Sequence, residues 1–152
     1  MLRKNGFMFI TLIILMVNLV SGVNAQSVED QIKQVLATIK IGFTAKNSDI
    51  IIACFSSNYR ENVKGELDFI KNNIVEVVTS ADTIILDFAN LKIDQYGDTV
   101  SLEADSIGTF LLKEGNNRLD INTREKFLLW KEGGGWKIYK HDVISSSTNN
   151  SL

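Results

Sequence analysis

The order of the predicted elements places this chain in the α+β class, with N-terminal helices on one face of a mostly antiparallel sheet. Apolar residues recur at spacings of three and four in the first half of the chain, and at a spacing of two after Thr83. The 152 residues, of which 45% are hydrophobic and 22% charged, suit one globular domain. No repeat or linker points to a second domain.

The first 25 residues have the pattern of a secretory signal peptide. Two basic residues, Arg3 and Lys4, precede an apolar run at 7–20, and Val23-Asn24-Ala25 suits cleavage before Gln26. An uncleaved membrane anchor is the alternative, although the apolar run is short for a span of roughly 20 residues. We therefore expect an exported protein, periplasmic or secreted, that meets a membrane only if this segment is retained.

Charge and cysteine content exclude several classes of function. The formal charge is −2, and cleavage would remove two basic residues and no acidic one, so nucleic acid is not an expected partner. Cys54 is the only cysteine, which leaves no internal disulfide. Its neighbours are apolar and no histidine or basic residue is close in sequence, so we interpret it as a buried side chain rather than a reactive thiol.

Three helices are predicted before the sheet. The first spans 27–43, with one apolar stripe and a capping box formed by Ser27 and Asp30. Ser48 is the predicted N-cap of a short second helix at 49–55. The third helix is predicted over 65–79, from its apolar positions at helical spacing.

The remaining residues predict a meander of strands. A first strand over 84–94 turns at Gln95 to Asp98, and the second begins near Val100. Small residues on the apolar face of the second strand suit a bent strand or a wall close to a ligand: Ala104, Ser106 and Gly108. The run Gly133 to Gly135 predicts a tight hairpin turn between the last two strands. The polar tail at 145–152 is predicted to be disordered.

The segments NSDIIIACFSSNY and FLLWKEGGGWKIYKHDV, with the Tyr96-Gly97-Asp98 turn between them, resemble the nuclear-transport-factor-2-like superfamily. Within this superfamily, the order of elements most resembles the small SnoaL-like domains of secreted bacterial proteins. The resemblance covers about Ser27 to Ile144, and it gives a single domain at 26–144. It implies a cone-shaped fold, in which a strongly bent sheet wraps its concave face around the helices and leaves a pocket. It also implies a homodimer through the outer sheet face.

Several members of this superfamily are enzymes that move protons or add or remove water without a cofactor, using a carboxylate or histidine in the cone. By strict alternation, His141 lies opposite Trp136 and Ile138, and we expect it to face away from the pocket. Lys140 and Asp142 share the Trp136 face near the strand end. Asp142 is therefore the best catalytic candidate.

Two further side chains, Tyr59 and Ser106, could offer hydroxyl groups to a ligand in the cone. Trp130 is expected on the outer face, where an exposed aromatic would favour a partner. The sequence has no metal-ligand spacing and no phosphate-binding glycine loop after a strand, so neither a metal nor a cofactor is predicted.

Two functions from different classes remain. The favoured one is a non-catalytic exported module whose apolar cone binds a small hydrophobic molecule or a protein partner, because few ionisable groups converge on the predicted pocket. The alternative is a cofactor-free lyase, isomerase or hydrolase of the SnoaL-like type that uses a pocket carboxylate.

Overall fold

In the part of the chain that the structure describes, three helices precede a four-stranded sheet, which confirms the α+β class. The structure is a computed structural model that describes residues 26–60, 66–114 and 117–151. The helices are α1 (Val28–Thr44), α2 (Ser48–Ile52) and α3 (Glu66–Ser80), and the strands are β1 (Ala81–Tyr96), β2 (Thr99–Leu112), β3 (Arg118–Glu132) and β4 (Gly135–Ser151). The predicted signal peptide lies outside the described residues.

The first helix begins and packs as its sequence predicts. The Ser27 side chain accepts a hydrogen bond of 3.1 Å from the backbone N–H of Asp30, which satisfies one free donor of the first turn. Ile32, Leu36 and Ile39 on its apolar stripe are buried. The stripe therefore holds α1 against the sheet.

The second helix is capped by Asn47 and not, as predicted, by Ser48. The Asn47 side chain accepts hydrogen bonds from the backbone N–H groups of Asp49 and Ile50, at 3.1 and 3.3 Å. Asn47 has the extended backbone that an N-cap needs, with φ −111°, whereas Ser48 is already helical. The helix also ends earlier than predicted, at Ile52.

The sheet is a curved, unclosed antiparallel meander with strand order β1-β2-β3-β4. The predicted hairpin between β3 and β4 is confirmed: Gly133 and Gly134 take φ angles of 61° and 82°, which other residues adopt only at a cost. The concave face of the sheet meets the helices around a core that includes Leu102, Leu129 and Ile138. The N-terminal helices therefore lie in the hollow of the sheet, as predicted.

The polar tail continues β4 as far as Ser151, so the prediction that it is disordered is wrong for 145–151. Its backbone pairs with the first half of β3, from Ser145 opposite Arg124 to Ser151 opposite Arg118. The tail side chains at 145–149 are exposed. Because edge-strand pairing is made by backbone groups, a segment without apolar alternation can still join the sheet when a neighbouring strand presents free N–H and C=O groups.

Candidate functional site

An irregularity in β4 decides which of its side chains face the helices. Leu129 of β3 pairs with Ile138, but the preceding residue, Leu128, pairs with Lys140, so Tyr139 is an extra residue in β4. A one-residue insertion exchanges the inward and outward positions beyond it. His141 therefore lies on the concave face, and the expectation that it points away from the pocket is wrong.

The side chain of His141 contributes to a cavity of about 170 Å³ between the helices and the concave face of the sheet. Most of the described residues that line the cavity are apolar, and five of them are phenylalanines: Phe43, Phe55, Phe88, Phe110 and Phe127. The polar lining residues are Ser106, Glu125 and His141. The cavity therefore holds one polar cluster within an otherwise apolar lining.

The polar cluster is built by three adjacent strands. Ser106 on β2 donates a hydrogen bond of 2.8 Å to Oε2 of Glu125 on β3, and Thr123 donates one of 3.0 Å to Oε1. Nε2 of His141 on β4 lies 3.6 Å from the same Oε2 atom. The side chains of His141 and Glu125 are only 19% and 15% exposed, so their interaction is weakly screened by solvent.

The carboxyl group of Glu125 is held in its ionised form. Burial favours the neutral acid and raises its pKa, but the neighbouring His141 imidazole and the hydroxyl groups of Ser106 and Thr123 act in the opposite direction. Their combined effect leaves the pKa of Glu125 below its usual value. At neutral pH, an anion therefore lies at the wall of the apolar cavity.

The four residues that the sequence predicted to line the pocket do not all lie at this cavity. Ser106 lines the cavity, as expected, and hydrogen-bonds to Glu125. Tyr59 is buried and packs edge-on against Phe55, with ring centroids 5.3 Å apart. Lys140 and Asp142 form a partly exposed ion pair of 3.1 Å, and neither lines the cavity.

Trp130 also departs from its expected role as an exposed docking residue. Its ring nitrogen donates hydrogen bonds of 3.1 Å to Ser56 and to Glu132, and the ring stacks on Tyr139 with centroids 4.8 Å apart. The Trp130 side chain therefore connects the β3–β4 hairpin to the segment that follows α2.

The sequence did contain a signal for Glu125. Strict alternation along β3 places it on the same face as Thr123, Phe127 and Leu129, and an acidic residue is unusual on such a face unless it has partners. Those partners come from β2 and β4, far away in sequence, so alternation alone could not identify them.

The fold is shared with solved structures of the nuclear-transport-factor-2-like superfamily. A candidate scytalone dehydratase from Novosphingobium aromaticivorans is 12% identical, with a TM-score of 0.67 over 77% of this chain and 84% of that one. The hexachlorocyclohexane dehydrochlorinase LinA-type3 from Novosphingobium barchaimii is 17% identical, with a TM-score of 0.61 over 80% and 89%. A candidate dehydratase of the NTF2-like family from Streptomyces avermitilis is 7% identical, with a TM-score of 0.63 over 74% and 91%.

These likenesses show that the chain has the nuclear-transport-factor-2-like fold, as the sequence resemblance implied. At the level of sequence, no family model matches the chain, and no match was found among curated proteins. Within the described residues, no helix is long and apolar enough to cross a membrane.

Proposed function

We propose that the cavity binds a small, largely apolar molecule and that the Glu125–His141 pair transfers a proton on it, as in a cofactor-free lyase or isomerase. The observation that carries this proposal is the histidine–carboxylate pair, 3.6 Å apart, at the wall of a half-open apolar cavity. It replaces Asp142, the candidate from the sequence, because Asp142 is paired with Lys140 outside the cavity.

The two side chains have distinct roles in this proposal. Glu125 is ionised and already accepts hydrogen bonds from Ser106 and Thr123, so it is better suited to orient and charge-stabilise His141 than to abstract a proton itself. Histidine is the side chain that gains and loses a proton most easily near neutral pH. His141 is therefore the proton carrier, and Glu125 stabilises its charged form during the reaction.

The apolar side chains around Glu125 and His141 strengthen the electrostatic interaction between these two groups. Electrostatic interactions are stronger where water is excluded, so a charge that develops on His141 is stabilised more by Glu125 than it would be at the surface. Three of the solved structures that share the fold are named as a dehydrochlorinase or candidate dehydratases, which are elimination enzymes, and another is named as a candidate aromatic ring hydroxylase. The first three support the same class of reaction for this chain without identifying its substrate.

A second candidate is binding without turnover, which was the favoured function at the level of sequence. One observation favours it: Glu125 and His141 are the only ionisable side chains among the described residues that line the cavity, so few groups converge on a bound molecule. In this case Glu125 and His141 would only orient the bound molecule.

Native mass spectrometry of the protein purified from its own host tests both candidates. A small molecule that co-purifies would be identified and then incubated with the enzyme, and its conversion followed by NMR. We expect Glu125→Gln and His141→Gln to lower the turnover rate by roughly 100-fold or more, the usual range for the loss of acid–base catalysis. Lys126→Gln changes the neighbouring residue on the other face of β3 and is the matched control.

Full turnover in both pocket variants would rule out the proposed chemistry. Tight binding with no conversion by the wild-type protein would instead support the binding module. Asp142→Asn tests the catalytic residue predicted from the sequence against the Glu125–His141 pair. Loss of turnover in this variant alone would assign the role to Asp142.

Export and dimerisation are further proposals that rest on the sequence. For export, N-terminal sequencing of the natural protein should begin at Gln26, and a start before Gly22 would contradict cleavage.

For a homodimer, the outer sheet face offers exposed Ile85 and Ile107, 62% and 47% accessible, as an apolar patch. Light scattering should give a dimer that Ile107→Lys converts to a monomer, and a wild-type monomer at high concentration would contradict this.

A further inference from the structure

We propose that the molecule held in the cavity is a small, neutral alcohol or phenol whose hydroxyl group bridges His141 and Glu125. This inference rests on the proposed function, since it specifies the ligand class of the same cavity. Three properties of the cavity lead to it: its volume, one buried nitrogen atom and its charge.

The volume suits a ligand of about one ring. An engineered cavity of about 150 Å³ in another protein binds benzene. The cavity here is slightly larger, at about 170 Å³, and is walled by phenylalanine side chains such as Phe88 and Phe127. A six-membered ring with one or two small substituents fills this space, and phenyl walls suit a planar ring because aromatic groups stack or meet edge-on.

The polar end of the cavity requires a group that both accepts and donates a hydrogen bond. Nε2 of His141 is buried and has no hydrogen-bond partner among the described residues. Its distance of 3.6 Å from Oε2 of Glu125 is too long for a direct hydrogen bond, but an oxygen atom about 2.8 Å from each would fit between them. A hydroxyl group can accept from Nε2–H and donate to the carboxylate at once.

The charge of the cavity excludes acidic ligands. The pair contributes one carboxylate, and the other polar lining residue, Ser106, already donates to it. The Arg124 side chain, next to Glu125 in sequence, pairs with Glu103 and Asp105 through contacts of 3.2 and 2.9 Å, so it does not neutralise a ligand in the cavity. Among the described lining residues, His141 is the only side chain that can carry a positive charge, and one cation does not offset two carboxylates buried together.

Three probes of similar size test the ligand class by calorimetry or ligand-observed NMR. p-Cresol has the required hydroxyl group, p-xylene replaces it by a methyl group, and benzoate carries a single anionic carboxylate on the ring and no methyl group. We expect p-cresol to bind at least about tenfold more tightly than p-xylene, since a hydrogen bond to a charged group is lost in p-xylene. Benzoate is expected to bind at least about 100-fold more weakly than p-cresol.

Variants test whether the Glu125–His141 pair causes the preference for a neutral ligand. In Glu125→Gln, the anionic charge is removed and the amide still fits, so the penalty against benzoate should fall at least about tenfold. Lys126→Gln should keep the order of the three probes. Circular dichroism of each variant checks that the fold is retained, and the wild-type comparison stands even if Glu125→Gln does not fold.

The outcomes separate this inference from the proposed function. Equal binding of p-xylene and p-cresol would overturn the hydroxyl ligand, and tight binding of benzoate would overturn its neutrality; both leave a small-molecule cavity in place. Binding of none of the probes would overturn the ligand class, while the co-purified molecule would still decide the proposed function. The expected order of affinities without turnover of any co-purified molecule would sustain the ligand class and remove only the catalytic proposal.

Discussion

Phe127 on β3 and His141 on β4 are paired residues whose rings stack in parallel, with centroids 4.8 Å apart and an angle of 11° between their planes. Phe127 is buried in the core, so its ring sets the plane of the imidazole that faces Glu125. The core of the sheet and the geometry of the candidate site are therefore coupled through one aromatic contact.

Replacing Phe127 by leucine should release the imidazole from this stack. His141 is the only histidine in the chain, so its ring protons can be assigned directly in NMR spectra. We expect these protons to move downfield in Phe127→Leu because the shielding by the phenyl ring is lost. The loss of the aromatic pair should also lower the free energy of unfolding by about 1 kcal/mol.

Phe88→Leu is the matched control, since Phe88 lines the same cavity but is not the ring stacked on the histidine. Similar shifts of the His141 protons in both variants would contradict a specific role for the Phe127 stack.

The pairing of the tail with β3 predicts slow hydrogen exchange in a segment that is polar throughout. Alternate backbone amides of 145–151 should be protected, because in an antiparallel edge strand every second N–H group points to its neighbour. Exchange measured by NMR would show this pattern. Exchange at the rate of an unfolded peptide along the whole tail would contradict the strand.

Glu132 predicts a pH dependence of stability. Its pKa is lowered to about 2, chiefly by hydrogen bonds from the hydroxyl groups of Ser56 and Ser57, helped by the backbone N–H of Ser57. Because the pKa is lower in the folded state, the stabilisation is fully present above the ordinary value of 4.5 and is lost as the pH falls towards 2.

Unfolding by urea across this pH range should therefore show a smaller loss of stability for Glu132→Gln than for the wild-type protein. Glu76→Gln, on the exposed face of α3, is the matched control and should follow the wild-type curve. Parallel curves for wild type and Glu132→Gln would show that these hydrogen bonds do not favour the ionised form.

Gly108 controls the space available beside the cavity. A Cβ atom at this position would lie 2.9 Å from Cε2 of Phe110 and 3.1 Å from Cγ1 of Ile121, both of which line the cavity. Gly108→Ala should therefore displace these side chains, lower the free energy of unfolding by about 1–3 kcal/mol and weaken p-cresol binding.

Thermal unfolding and calorimetry measure the two effects. Gly135→Ala is the matched control, because a Cβ atom there has no neighbour within 4 Å. Unchanged stability and binding in Gly108→Ala would mean that Phe110 and Ile121 move aside without cost.

Substitutions of one buried and one exposed isoleucine test which face of the sheet packs against the core. Ile138 is fully buried and Ile85 is 62% exposed on the outer face. Chemical denaturation should show that Ile138→Ala lowers the free energy of unfolding by about 2–5 kcal/mol, through lost burial and a residual cavity. In the monomeric Ile107→Lys background, Ile85→Ala should change it by about 0.5 kcal/mol or less. A similar loss in both would contradict the assigned faces.

The sequence by itself determined the features that depend on neighbouring residues. The stripe that holds α1 and the glycine turn after Glu132 follow from local periodicity and from backbone angles that glycine adopts freely. The order of helices and strands, and with it the α+β class, follows from the same signals.

Only the tertiary structure decided the candidate site. The extra residue in β4 has no glycine or proline to mark it; instead, the segment after α2 pairs with the strand there. The backbone N–H of Ser56 donates to Ile138 at 2.8 Å, and that of Arg60 donates to Tyr139 at 2.7 Å. Because this pairing joins residues about 80 positions apart, alternation along β4 could not reveal that its inward and outward faces exchange before His141.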